Sequence, residues 1–176
     1  IMRWLLILAA LLLIACAAEK PPEYEKTLKV TSVFENGGEI PKKYTCDGED
    51  VSPPLYISGL PAEAKSLVIV CEDPDAPLGT FTHWIAWNVE PVGKIPEDIP
   101  KVSDVTEPLK MRQGKNDFGK IGFNGPCPPP GKPHRYYFKI YALDVVLEGD
   151  YDKNSLIKAM EGHVVGYGEI YGIYGR

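Results

Sequence analysis

Short runs in which apolar residues alternate with polar ones, broken by proline and glycine, organise most of this chain. Leu28 to Phe34 sets Leu28, Val30 and Phe34 on one parity, with Ser32 as the polar exception, and predicts a strand. Tyr56-Ile57, Leu67 to Val70 and Trp84 to Val89 predict further strands, separated by Pro53-Pro54, by Gly59-Leu60-Pro61 and by the loop that follows Cys71. Tyr136 to Leu143 places Tyr136, Phe138, Ile140 and Ala142 against Tyr137, Lys139, Tyr141 and Leu143. Both sets are largely apolar, which predicts a central strand covered on both faces. Lys153 to Glu161 predicts a helix, capped by Asp152 or Asn154 and stopped by Gly162, with Leu156, Ile157 and Met160 on one face. His163 to Tyr174 is too rich in glycine for a helix and reads as a last strand, whereas Gly93 to Gly119 is long and irregular. The sum is a mainly β protein with one or two peripheral helices.

Composition narrows the class. At 176 residues, 44% hydrophobic and 24% charged, the chain is globular and long enough to bury one core. A formal net charge of −5, with no basic tract, excludes nucleic acid as a partner. The N-terminus reads as a targeting segment: Arg3 is basic, and Trp4 to Ala15 is apolar but too short to span a bilayer. Leu13-Ile14-Ala15-Cys16 has the form of a lipobox, in which Cys16 is lipidated and becomes the new N-terminus. The alternative is an ordinary cleaved signal peptide that leaves a secreted soluble protein, because Ala15-Cys16-Ala17 also fits a small-x-small cleavage site. The expected organisation is a leader over 1–15, a lipidated cysteine and flexible tether over 16–26, and a single domain over 27–176. The expected location is extracytoplasmic, anchored to the cell membrane by lipid.

An exported chain permits disulfides. Cys46 and Cys127 both sit in loop sequence and could pair, whereas Cys71 ends an apolar run and reads as a small buried hydrophobe. No two cysteines or histidines stand at ligand spacing, so no metal site is expected.

The candidate chemistry lies in two proline-rich stretches, Cys71 to His83 and Gly122 to Tyr136. Proline fixes its own φ and restrains the residue before it, so a carboxylate or imidazole between prolines is held in direction. Asp73, Asp75, His83, His134, Arg135 and Tyr136 form the constellation. At the head of a strand, His134 and Tyr136 share a face while Arg135 points away. The first two can line a pocket; Arg135 is placed to pair with a carboxylate such as Asp75. An imidazolium beside a carboxylate, a phenol and loop amides together make an anion site, with phosphate as the natural guest. Read singly, each feature has a plainer account: an Asp-Pro-Asp turn bonding its own amides, a structural histidine, a core tyrosine.

Taken in order, these residues resemble the phosphatidylethanolamine-binding protein family, in particular its microbial Raf-kinase-inhibitor-like branch. Asp73-Pro74-Asp75-Ala76-Pro77 matches the family's Asp-Pro-Asp-x-Pro, His83-Trp84-Ile85-Ala86-Trp87-Asn88 resembles its histidine-led strand, and His134-Arg135-Tyr136 matches its second motif. Tyr44 to Gly48, Ser52 to Leu55, Gly125 to Pro128 and Gly172 to Arg176 are similar to the microbial branch, and the likeness covers Leu28 to Arg176. The resemblance implies a central antiparallel sheet packed with a smaller sheet and a few peripheral helices. It implies a small pocket at one end that takes phosphate or a phospholipid headgroup, with no cofactor and no catalysis. Carried over residue by residue, the ligand-binding set is Asp73, His83, His134 and Tyr136, supported by Asp75, Arg135 and Pro77, the last following a cis peptide. Where the family's second motif reads Gly-x-His-Arg, this chain has both Lys132 and Pro133 between Gly131 and His134. The C-terminal helix of eukaryotic members has no counterpart before Arg176, so inhibition of a cytosolic kinase is not expected. The alternatives are an interaction or inhibitor protein working through surface loops on a protease, kinase or other signalling partner, and a phosphoester or peptide hydrolase. The last lacks a Gly-x-Ser-x-Gly elbow and a metal-ligand cluster.

Overall fold

The computed structural model describes residues 22–176. The expected leader and Cys16 lie outside them. Within them the chain forms two antiparallel sheets, one α-helix and a single 3-10 turn at Lys42–Tyr44. A small sheet has the order β1 (Lys29–Thr31), β2 (Leu55–Ser58), β5 (Lys94–Ile95). The large sheet has the order β6 (Asp104–Val105), β7 (Met111–Gln113), β4 (Phe81–Val89), β3 (Ser66–Asp73), β8 (His134–Leu143), β9 (Val164–Tyr174). The helix is α1 (Lys153–Met160).

β3 and β8 are interior strands, which accounts for their apolar residues on both parities. Leu67, Ile69, Cys71, Phe138, Ile140 and Ala142 pack with Val30, Leu55, Ile57 and Ile95 of the small sheet. Val68, Val70, Tyr141 and Leu143 point the other way and pack with Leu156 and Met160 of α1. The helix starts where Asp152 accepts a hydrogen bond from Ser155 N at 2.8 Å, closing a capping box, so Asp152 rather than Asn154 is the cap. Gly162, at φ +78°, turns the chain out of it.

The large sheet would end in a long bare edge at β9. That edge is covered: Thr27 and Leu28 donate to Tyr167 O, Gly37 donates to Tyr171 O, and Ile40 donates to Ile173 O. Such close crossing explains the glycines that ruled out a helix. A Cβ on Gly168 would stand 2.5 Å from Leu28 O. The first predicted strand is shorter than its pattern, because Ser32 donates to Pro54 O at 2.6 Å and the chain then leaves the sheet. The stretch after Gly93 contains three strands of two or three residues, too short to show a period.

Candidate functional site

The C-terminal end of β3 and the N-terminal end of β8 lie side by side, with Cys71 opposite Phe138 and Glu72 opposite Tyr137. Asp73 therefore emerges beside His134. Asp73 Oδ1 accepts from Asp75 N at 2.8 Å, the self-bonded turn of the plainer account, while Oδ2 accepts from His134 Nδ1 at 2.7 Å. Asp75 faces the other way and accepts from Arg135 three times, from its backbone N at 2.9 Å, Nε at 2.9 Å and Nη2 at 2.8 Å. The parity argument for His134, Arg135 and Tyr136 thus describes the geometry: His134 and Tyr136 are buried and Arg135 is exposed.

β4 brings His83 to the same place by an irregularity. Cys71 pairs with Trp84 but Glu72 pairs with Thr82, so the ladder skips at His83. This bulge lets His83 and Trp84 face the same side, His83 against the Tyr136 ring at 5.2 Å and Trp84 in the core. His83 Nδ1 donates to the backbone carbonyl of Asn124 at 2.7 Å. Asn124 is in turn fixed by Asn116 and Asp50, at 2.8 and 2.9 Å.

Asp73, His83, His134 and Tyr136 line one recess of about 190 Å³. That is smaller than the roughly 300 Å³ at which pockets for drug-sized ligands begin. Its floor is polar. Its rim is apolar: Ala76, Pro77, Phe81, Phe118, Pro128 and Pro129. Phe81, His83 and Phe118 pack edge to face, with ring centroids 4.8 to 5.3 Å apart. Phe81 could have been found from sequence, as it stands two residues before His83 and shares its face; Phe118 lies in the irregular stretch and gives no such signal.

Burial lowers His83 from the ordinary histidine value, against the raising effects of the Asn124 carbonyl and Asp73. Burial, then Asp73, raises the Tyr136 phenol, which stays a neutral O–H donor. The Arg135 hydrogen bonds, against a smaller effect of burial, pull Asp75 down to about 2. The hydrogen bonds His83–Asn124 and His134–Asp73 are both made through Nδ1.

One expectation is corrected. Among the described residues the cis X-Pro bond is Glu107–Pro108, not the bond before Pro77. Gly79 N donates to Ala76 O, making Pro77 the second residue of a turn, where trans proline fits; a cis proline belongs at the third. Gly131 N is spent on Arg176 O, and Pro126, Pro128, Pro129 and Pro130 have no N–H to offer. Cys46 and Cys127 are joined by a disulfide, with Cα atoms 5.4 Å apart, and Cys71 is free and buried. Cys127 itself lines the recess. Among the described residues no group of three or more acidic, histidine or cysteine side chains could hold a metal ion.

The two-sheet β fold that carries this recess is shared with known proteins. The family model described as phosphatidylethanolamine-binding protein matches residues 30–175. A UPF0098 protein of Archaeoglobus fulgidus is 64% identical over 171 residues, covering 97% of this chain. The chain spans only 58% of that relative's length. A UPF0098 protein of Pyrococcus horikoshii is 53% identical over 174 residues, covering 97% of this chain and 88% of the relative. Among solved structures, a phosphatidylethanolamine-binding protein homolog from Chlamydia trachomatis is 42% identical with a TM-score of 0.77, covering 86% of this chain and 99% of its own. The E. coli YbcL protein is 31% identical with a TM-score of 0.76, covering 85% of this chain and 99% of its own. The chain belongs to the phosphatidylethanolamine-binding protein family.

Proposed function

We propose that this protein is a non-catalytic binding module whose recess takes a phosphate group, free or carried by a phospholipid headgroup. The observation that carries the reading is the convergence of His83, His134 and Tyr136 on one small cavity, with Asp73 behind His134. Each Asp73 oxygen accepts one of these bonds, so the carboxylate holds His134 in place at the wall of the recess. Protonation of either histidine would place an N–H at its Nε2 edge, and Tyr136 supplies an O–H. Charge-assisted bonds contribute roughly 1.5–3 kcal/mol each, against association costs of at least about 4 kcal/mol. A bare headgroup is therefore held at about micromolar to millimolar affinity. The apolar rim supplies the extra contact that a larger ligand would use.

The reading includes lipid anchoring at Cys16 and an extracytoplasmic location, supported by the apolar Trp4 to Ala15 run and the Leu13-Ile14-Ala15-Cys16 sequence. Calorimetric titration with inorganic phosphate and phosphoethanolamine tests the pocket; no heat from either at millimolar concentration overturns it. Detergent partitioning of the mature protein, lost on Cys16→Ser, tests the anchor; a water-soluble mature form would replace it with the ordinary signal peptide. A second reading, docking of a protein partner by the loops around the recess, is favoured by Phe118 of its lining, which is 41% exposed, and by Leu78, which follows the lining residue Pro77 and is 103% exposed. Substitutions at His83 and His134 separate the two, since partner binding that survives loss of anion binding favours the second.

A further inference from the structure

The wall of the recess from Pro126 to Pro130 is short of ordinary tethers. Four of these five residues are proline, which has no N–H to give to a ladder or turn. At its ends Cys46 N donates to Pro126 O at 3.1 Å, and Gly131 N donates to Arg176 O at 3.2 Å. Between these points Cys127 is bonded covalently to Cys46, and Cys127, Pro128 and Pro129 all face the cavity. Cys46 is exposed and Cys127 half-buried, so Cys46 is the half of the disulfide nearer solvent. On the other side Arg176 Nη1 lies 3.7 Å from Cys127 Sγ, with Arg176 Nε 3.3 Å from Asp47.

We propose that Cys46–Cys127 is a thiol–disulfide exchange site, and that its reduction by a dithiol releases the Pro126–Pro130 wall and weakens anion binding in the recess. The second half rests on the anion-binding reading above. One thiolate of the reductant attacks Sγ of Cys46, the exposed residue of the pair. The S–S bond breaks, and its electron pair leaves on Cys127 Sγ as a thiolate beside the Arg176 guanidinium. The reductant's second thiolate then attacks its own sulfur in the mixed disulfide and releases Cys46. Two electrons and two protons pass to the protein, and the dithiol departs as a disulfide. With the covalent link gone, a run with almost no backbone donors keeps only the bonds at its ends and the Arg176 contact of Cys127, and the cavity loses a fixed side.

The test uses the full chain, oxidised and after treatment with dithiothreitol. Three measurements are compared: titration with inorganic phosphate and with phosphoethanolamine, hydrogen exchange of peptides covering 122–134, and near-ultraviolet circular dichroism of the buried tryptophans. Reduction is expected to weaken both ligands about tenfold, the size of one lost charge-assisted contact. Exchange should rise in 122–134 while the tryptophan signal holds, and reoxidation should restore both. The Cys46→Ala/Cys127→Ala variant should copy the reduced form, and Arg176→Ala should slow reduction. Equal affinity in both redox states overturns the gating. Loosening of the whole sheet overturns it too, since the disulfide would then be a general staple across its 81-residue separation. If the oxidised protein binds neither ligand, the anion reading fails by itself. Wall release is then judged by exchange, and an unchanged 122–134 rate rejects it.

Discussion

His83 and Trp84 are neighbours in the chain and face the same side of the large sheet. The skip in pairing between β3 and β4 makes this possible, because one extra residue on β4 resets its alternation. Trp84 thereby stays in the core, with Nε1 donating to Gln113 at 2.7 Å, while His83 reaches the recess. A second skip, with Leu67 opposite Val89 and Ile69 opposite Ala86, occurs where Asn88 adopts φ +51°. Its side chain both donates to and accepts from Leu147.

His134→Gln should weaken inorganic phosphate binding about tenfold, the loss of one charge-assisted bond. Glutamine is chosen because it can still donate to Asp73, whereas alanine would strand a buried carboxylate. Lys29→Ala, on the exposed side of the small sheet, should leave affinity unchanged. Equal binding by wild type and His134→Gln in calorimetry would remove His134 from the site.

His83 makes stability depend on pH. Its folded value lies below the unfolded value of about 6.5, so the unfolded chain binds more protons between the two. This contribution is complete above about pH 6.5 and is lost as pH falls through the folded value. Urea midpoints across pH 4–8 should show that decline, and His83→Gln should flatten it. A bound anion favours the imidazolium instead, so phosphate binding should take up protons and weaken as pH rises. Affinity that stays flat from pH 5 to 9 would assign the binding to Tyr136.

The Asp75–Arg135 fork acts at lower pH. Asp75 is held down to about 2, below the unfolded value of about 3.9, so its contribution is present above pH 4 or so and disappears towards about pH 2. Asp75→Asn should be less stable than wild type at neutral pH and equal to it in strong acid. A difference that persists in acid unfolding at about pH 2 would show that the asparagine acts through the loop rather than through charge.

Lys139 has a structural task on the face of the sheet opposite Tyr136. Burial alone would raise Glu72, but hydrogen bonds from Lys139, at 2.5 Å, and from Lys153 outweigh it and leave the carboxylate lowered. Lys139→Met leaves Glu72 with one partner and should cost about 1–3 kcal/mol. For a domain of this size that lowers Tm by roughly 2–4 °C per kcal/mol. The double variant Glu72→Gln/Lys139→Met should recover part of the loss; no recovery would mean that the lysine acts through its aliphatic stem.

The order of residues determined much of this protein. Alternation in Tyr136 to Leu143 marked a central strand, and the Asp152 and Gly162 signals bounded the helix. The spacing of His134, Arg135 and Tyr136 assigned two residues inward and one to Asp75, because a strand's period is local and needs no partner. Tertiary structure decided the rest. A lone sequence carries no pairing register, so the skip that turns His83 inward appears only when β4 lies against β3. The Asn124 carbonyl that orients His83 is a backbone group with no residue-type signature. Phe118 joins the rim from a stretch with no period, and Glu72 finds Lys139 and Lys153 on two different elements. Cys46 and Cys127 could pair from sequence, but only the fold places that bond in the wall of the recess. Periodicity is written along the chain; contacts between distant segments are set by packing, where register, burial and backbone donors are chosen together.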